Sequence, residues 1–197
     1  MTLPRKVTAA IACILILAAA ATAEDRWKTV TLDGNPDFTV SIPVKIDDYG
    51  GGKKSKDGNL MFFAVTAAGH GGLTCMASRE AYPKNVTQKA FAAGLASEKR
   101  EVFCKQNGGS VSGVEIGGST SFDHNGSQAA ECTASYTDSA EKLPGRVESE
   151  MVIAAPGNVY LLVCVTEDED QETAQLEWAT LWEEIVRHIQ KSFHVPK

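Results

Sequence analysis

The sequence predicts a single α+β domain, an antiparallel β-sheet with two main helices that is held by two disulfides. Short segments alternate apolar and polar residues between Gly- and Pro-containing turns, which is typical of antiparallel strands. Two longer segments repeat apolar residues at helical spacing. About 174 residues follow a predicted N-terminal leader, which is enough for one domain with a substantial core.

The first 23 residues have the pattern of a secretory signal peptide. Arg5 and Lys6 supply a short basic start, and the apolar run Val7–Ala20 is too short to span a bilayer comfortably. Ala21-Thr22-Ala23 then matches a small-x-small cleavage site. We therefore expect residues 24–197 to form the mature domain, which begins at Glu24 and lies in a bacterial periplasm or outside the cell.

The charge of the mature chain limits its partners. Removing two of the 19 basic residues with the leader leaves 17 against 25 acidic residues, a formal charge of −8. This balance disfavours nucleic acid and anionic membrane surfaces, and no later segment resembles a membrane span. The expected partner is an envelope protein or a small ligand that the sequence does not identify.

Cysteine usage agrees with export. Four cysteines follow the predicted leader, Cys75, Cys104, Cys132 and Cys164, and an even number in an oxidising compartment predicts two disulfides with three possible pairings. The pairing Cys104–Cys132 with Cys75–Cys164 is favoured because Cys75 and Cys132 both lie on apolar faces of predicted strands. Their spacing contains no C-x-x-C, so neither a redox motif nor a zinc site is predicted.

The chain ends in a strand and a long amphipathic helix. Asn158–Cys164 is predicted as a buried strand, and acidic residues 167–170 are expected to cap the helix that ends at Phe193. Seven large apolar residues fall within an arc of about 140° on the helical wheel. These are Trp178, Leu181, Trp182, Ile185, Val186, Ile189 and Phe193, whereas Glu183, Glu184, Arg187, Gln190 and Lys191 are placed on the polar side.

Two hairpins and a helix are predicted in the first half of the mature chain. Residues 27–32 pair with 38–42, and residues 60–66 pair with 73–79 across a glycine-rich turn. A helix is expected to begin at Asn85, with Gln88 completing a capping-box-like pair, and to continue to Cys104. Its buried side would include Phe91, Ala92 and Leu95.

Four further strands are predicted between the two helices and at the start of the C-terminal segment. A strand over 111–123 is expected to break at Gly117-Gly118, and Asn125-Gly126 is a strong hairpin signal that leads into 128–137. Strands over 146–154 and 158–166 follow Pro-Gly turns. The last three strands are expected to form an antiparallel meander that the C-terminal helix covers.

The sequence offers one candidate partner surface. Residues 47–59 form a glycine-rich, locally basic loop with Lys53, Lys54 and Lys56, and His70 lies in the glycine-rich turn of the second hairpin. No carboxylate or cysteine of metal-ligand spacing accompanies His70. We therefore interpret these four residues as a possible partner loop rather than a metal site.

No motif in the sequence indicates catalysis, a cofactor or a metal. There is no G-x-S-x-G elbow, Walker loop or G-x-G-x-x-G, and the acidic run at 167–170 lacks calcium-loop spacing. The leading hypothesis is an exported, non-catalytic binding or accessory protein of the bacterial cell envelope. The alternatives are a secreted inhibitor of a hydrolase and a hydrolase whose active site no motif marks.

The order of elements resembles the PsbP/Mog1-type α/β/α sandwich. The resemblance rests on the early hairpin that closes in Phe38-Thr-Val-Ser-Ile-Pro43, the central helix of residues 85–104, the strand Asn158–Cys164 and the last helix ending Ile189-Gln-Lys-Ser-Phe193. It implies the sandwich fold and a binding or assembly role. It carries over no functional residue, since these are packing motifs.

Overall fold

The structure, a computed structural model, describes residues 27–32, 38–43, 61–66, 72–98, 114–136 and 145–197. The predicted signal peptide lies outside these ranges and stays a prediction.

The described strands form two antiparallel sheets. The strands are β1 Trp27–Leu32, β2 Phe38–Pro43, β3 Met61–Thr66, β4 Gly72–Ala81, β5 Val114–His124, β6 Ser127–Tyr136, β7 Gly145–Ala155 and β8 Asn158–Asp168. β1 and β2 make a two-stranded sheet, and the six remaining strands make the main sheet in the order β3-β4-β8-β7-β6-β5. Each neighbouring pair in the main sheet is antiparallel.

Two helical regions accompany the sheets. Helix α1 spans Gln88–Ala96. The second region, called the C-terminal helix below, runs without a break through α2 (Gln171–Glu177), a π-helical turn (Trp178–Trp182) and α3 (Glu183–Ser192). Side-chain oxygens cap both starts, because Thr87 accepts from the Ala90 N–H and Asp170 accepts from the Thr173 N–H.

The two helical regions cover opposite faces of the main sheet, which gives an α/β/α sandwich. Since alternate strand residues point to opposite faces, Met151 and Ile153 of β7 pack in one core and Val152 and Ala154 in another. The first core also holds the β1–β2 hairpin and the C-terminal helix, and the second holds Leu95 of α1. We call the face that the C-terminal helix covers the helix face, and the opposite face the α1 face.

The β1–β2 hairpin is fixed to the end of the C-terminal helix. Thr39 and His194 exchange two backbone hydrogen bonds, of 2.9 and 2.7 Å. The Ser41 N–H donates to the Ser192 hydroxyl at 2.9 Å. The Trp27 ring stacks on His188 with centroids 3.6 Å apart. The hairpin thus extends the helix-face core beyond the main sheet.

The start of the C-terminal helix is fixed on β7. The Gln171 side chain accepts from the Arg146 N–H at 2.8 Å and donates to the Arg146 carbonyl at 3.2 Å, as a neighbouring strand would. Gly145 permits this approach, because a Cβ there would lie 2.1 Å from the Asp170 carbonyl oxygen. The path of the helix over the sheet is therefore set at this end.

One of the predicted disulfides is described. Cys75 of β4 and Cys164 of β8 lie directly opposite each other and are bonded in the helix-face core. Cys132 is also disulfide-bonded, but Cys104 lies outside the described residues, so the Cys104–Cys132 bond stays a prediction.

The predicted fold class is confirmed as α+β with antiparallel sheets and two helical regions. Both early hairpins form, and β6, β7 and β8 are the expected meander. Asn125 and Gly126 have φ angles of 56° and 89°, as a two-residue type I′ turn requires.

The predicted start and end of the first helix were wrong. Asn85 has a left-handed φ of 68° and lies in the turn before the helix, so Thr87 is the cap. The helix ends at Ala96, because Ser97 has an extended backbone and its N–H donates to the Gly94 carbonyl. The rest of the expected helix, beyond residue 98, lies outside the described ranges.

Three smaller expectations also need correction. Gly117-Gly118 does not end β5 but produces a bulge within it. Glu167 and Asp168 belong to β8, and only Asp170 of the acidic run caps the helix. Gln190 was placed on the polar side of the C-terminal helix but is 6% exposed.

Candidate functional site

The predicted partner loop lies outside the described residues. This applies to Lys53, Lys54, Lys56 and His70, so their role stays a prediction. Within the described ranges, no group of three His, Cys, Asp or Glu side chains could hold a metal ion. None of the helices in those ranges is long and apolar enough to cross a bilayer.

The candidate site is a groove between the β5 end of the main sheet and the C-terminal helix, which we call the strand–helix groove. Its cavity volume is about 430 Å³. Alternate residues of β5 form one side, and residues one turn apart on α3 form the other. The lining residues are Thr120, Phe122, His124, Glu131, Met151, Arg187, Gln190 and Lys191.

A buried polar network fixes the centre of this groove. The Gln190 amide donates to a Glu131 carboxylate oxygen at 3.1 Å and to the Ser149 hydroxyl at 2.9 Å. The Ser149 hydroxyl donates to the same Glu131 oxygen at 3.2 Å. Since Gln190 and Ser149 are almost fully buried, these bonds hold the half-buried Glu131 carboxylate in one place.

His124 closes one end of the groove and has a structural contact. Its Nε2 lies 2.5 Å from the Phe193 carbonyl oxygen, which can only accept, so Nε2 carries the proton and donates. The bond ties the end of β5 to the end of the C-terminal helix. Nε2 is therefore not available as a proton acceptor.

Two cations stand on the helical side of the groove. The Arg187 guanidinium pairs with Glu183 one turn earlier. Lys191 is exposed, and it forms no ion pair with any residue that the structure describes. The Lys191 ammonium is therefore free to interact with an anionic group of a bound molecule.

The arrangement favours recognition rather than covalent chemistry. Ser149 is the hydroxyl beside the Glu131 carboxylate, but it is 1% exposed and therefore out of reach of a substrate. What the groove presents to solvent is an apolar floor at Phe122, an oriented carboxylate and two cations. A few placed polar groups on an apolar wall are typical of binding sites.

A second groove lies on the α1 face and has a volume of about 340 Å³. Its walls are mainly apolar, and the carboxylates of Glu80 and Glu150 also line it. Nearby, the Tyr82 hydroxyl donates to the Ala155 carbonyl at 2.7 Å, and burial raises the pKa of Tyr82 to about 12. The apolar lining residues are Ala81, Pro83, Val86, Ala90, Phe91, Val152, Val159 and Leu161.

Sequence reasoning missed the strand–helix groove. Glu131 follows two alanines of β6, and Ser149 lies between two glutamates of β7. Since both faces of these strands are covered, the residue pattern alone did not distinguish the two polar residues from solvent-facing positions. Gln190 gave the best available signal, since it lies next to Val186 on the helical wheel, at the border of the apolar arc.

Comparison with known proteins adds information on the fold. Neither a family model nor a curated protein matches the sequence. The structure is similar to a Pseudomonas aeruginosa protein of unknown function, with 13% identity, a TM-score of 0.51 and coverage of 87% of this chain and 98% of that one. It is also similar to the Ran-binding protein Mog1p of Saccharomyces cerevisiae, with 12% identity, a TM-score of 0.54 and coverage of 86% and 95%.

A further match is the cyanobacterial PsbP of Synechocystis, with 15% identity, a TM-score of 0.48 and coverage of 87% and 94%. At these identities the likeness concerns the fold and not the function. The chain therefore has a PsbP/Mog1-like fold.

Proposed function

We propose that this protein is an exported, disulfide-stabilised, non-catalytic binding or accessory protein of the bacterial cell envelope. The observation that carries the proposal is the strand–helix groove, with its apolar floor, fixed carboxylate and two cations. Such a surface recognises a partner by shape and charge. The partner is an envelope protein or a small ligand.

The disulfide supports the proposed compartment. Cys75 and Cys164 are 0% and 1% exposed, so their bond is part of the core. Structural disulfides form and persist in oxidising compartments and are rare in the cytosol. Together with the signal-peptide pattern of the first 23 residues, this favours the periplasm or the extracellular space.

The fold is compatible with protein binding. One protein that shares it, Mog1p, is a Ran-binding protein. Only the suitability of the scaffold is taken from this likeness, because no residue of that interaction is carried over.

The binding role can be tested by crosslinking in the producing cells. A photoreactive amino acid replaces Lys191 in the groove or, as a matched control, the exposed Lys89 of α1 on the opposite face. We expect one defined adduct from position 191 that is absent from position 89. Equal adduct patterns would contradict the groove as the binding surface.

A small ligand is tested separately by native mass spectrometry of protein purified from the envelope fraction. If the partner is a small ligand and not a protein that crosslinks to position 191, we expect a complex whose additional mass is absent from a Lys191→Glu variant.

Export is tested on the same sample, for which we expect a chain that begins at Glu24. A cytoplasmic protein that retains its first residues would contradict the envelope assignment.

A further inference from the structure

The outer edge of β5 continues directly into the strand–helix groove. β5 is the last strand of the main sheet and pairs with β6 alone among the described strands. Beyond the bulge at Gly118 its register is regular as far as His124. The edge segment Thr120–His124 contains neither proline nor lysine, two residues with which natural proteins protect exposed strand edges.

The hairpin turn fixes which backbone groups point outward. His124 and Ser127 flank a two-residue turn, so they are a hydrogen-bonded pair, and such pairs recur at every second residue. His124, Phe122 and Thr120 therefore use their backbone groups on β6. The N–H and C=O groups of Ser121 and Asp123 point to the open side of the sheet.

The same alternation places side chains in the groove. Thr120, Phe122 and His124 line the groove, so their side chains lie on the helix face. A strand added to this edge would carry the residue opposite Phe122 on that face as well. Its side chain would lie beside that of Phe122, on the face where Arg187 and Lys191 of α3 line the groove.

The charges that line the groove favour an acidic side chain opposite Phe122. Lys191 lacks an ion pair in the described ranges, whereas the Glu131 carboxylate oxygen nearest the helix is already held by Gln190 and Ser149. A carboxylate would gain a partner in Lys191. An ammonium in the same position would face the Lys191 ammonium, which has no compensating carboxylate in the described ranges.

We propose that an extended segment of a partner protein adds to β5 as a seventh strand of the main sheet and places an acidic side chain in the strand–helix groove against Lys191. Backbone bonds to Ser121 and Asp123 would supply affinity, and the groove would supply sequence preference. This inference rests on the proposed binding function and specifies its partner as an acidic, strand-forming segment.

The test selects phage-displayed random seven-residue peptides on the mature protein and titrates the enriched peptides by NMR. We expect enriched sequences to share Asp or Glu at one position among β-branched neighbours, and the amides of Ser121 and Asp123 to shift. Lys191→Glu should weaken binding about tenfold, whereas Lys89→Glu on the opposite face should leave the dissociation constant unchanged.

Two further measurements test strand addition itself. Ser121→Pro removes an outward N–H and should therefore abolish binding. The variant should still fold, because proline is tolerated on edge strands. If that variant does not fold, N-methylation of the edge-facing peptide amides should abolish binding to the unaltered protein. Failure to enrich acidic peptides, or binding that survives N-methylation, would overturn the proposal, as would β5 amide shifts that appear on concentrating the protein alone. If these tests fail but the crosslink from position 191 is still observed, the binding function is retained and only strand addition is excluded.

Discussion

The two faces of the main sheet differ in the number of buried residues that pack on them. Among the described residues, eighteen buried residues form the helix-face core, and five form the α1-face core. The helix face also contains the Cys75–Cys164 bond, the hairpin and the polar network of Gln190. The α1 face has a nine-residue helix with Leu95 as its buried residue and an open groove.

The comparison separates stability from recognition. Most of the described apolar burial is on the helix face, so that face should account for most of the free energy of unfolding. The strand–helix groove lies at the border of this face, on elements that the core holds in place. A binding surface on rigid elements keeps its geometry when a partner arrives.

The largest expected effect comes from removing the buried disulfide. The double variant Cys75→Ala/Cys164→Ala opens a loop of 89 residues in the unfolded chain and should lower the free energy of unfolding by about 4–5 kcal/mol. Urea denaturation of the two proteins under non-reducing conditions measures this difference. A loss below about 1 kcal/mol would mean that the helix-face core does not depend on the crosslink.

A neighbouring pair of leucines on β8 compares the two faces directly. Leu162 is fully buried in the helix-face core, whereas Leu161 is half-buried on the α1 face. Leu162→Ala should cost about 2–5 kcal/mol, and Leu161→Ala about half of that or less. Since both changes remove the same atoms from the same strand, equal losses in urea denaturation would contradict the proposed difference between the faces.

On the α1 face, the hydrogen bond from Tyr82 to the Ala155 carbonyl joins the segment before α1 to the end of β7. Tyr82→Phe should lower the free energy of unfolding by about 0.5–1.5 kcal/mol. Because the folded-state pKa of Tyr82 is raised to about 12, the unfolded chain loses the proton first, and stability should fall as pH rises from 10 towards 12. Ultraviolet titration of tyrosinate and denaturation at each pH measure this, and Tyr82→Phe should remove its part of the loss.

The sequence was informative wherever local chemistry decides structure. Asn125-Gly126 predicted its turn because both positions require left-handed backbone, and the pairing Cys75–Cys164 followed from apolar strand positions. The bounds of α1 failed because Asn85, a good cap by type, takes a left-handed turn, and Thr87 two residues later takes the cap. Local propensity alone could not choose between these two residues.

The candidate groove could not be predicted because its residues meet only in three dimensions. Glu131, Ser149 and Gln190 come from β6, β7 and α3, and no spacing in the sequence relates them. The polar assignment of Gln190 followed from its residue type. Its burial follows from partners on two strands that satisfy the amide.

The smallest expected effect tests how the hairpin joins the helix face. His188 stacks on Trp27, and burial, followed by the positive charge of Lys191, holds its pKa below the ordinary value. The folded protein then binds the proton less readily than the unfolded chain does. The free energy of unfolding therefore has its full value above pH about 6.5 and decreases as the pH falls from there through the folded-state pKa of His188.

We therefore expect the free energy of unfolding to decline between pH 7 and 5 in the native protein, and to decline less in His188→Phe, which keeps an aromatic ring on Trp27 but cannot titrate. His194→Phe, which removes an exposed imidazole just beyond the end of the same helix, is the matched control. The NMR signal of the Trp27 indole, followed during urea titration at each pH, reports on the hairpin itself. An unchanged slope in His188→Phe would show that protonation of His188 does not loosen the contact between hairpin and helix. The hairpin would then be held by Thr39, Ser41 and the apolar residues of β2, independently of pH.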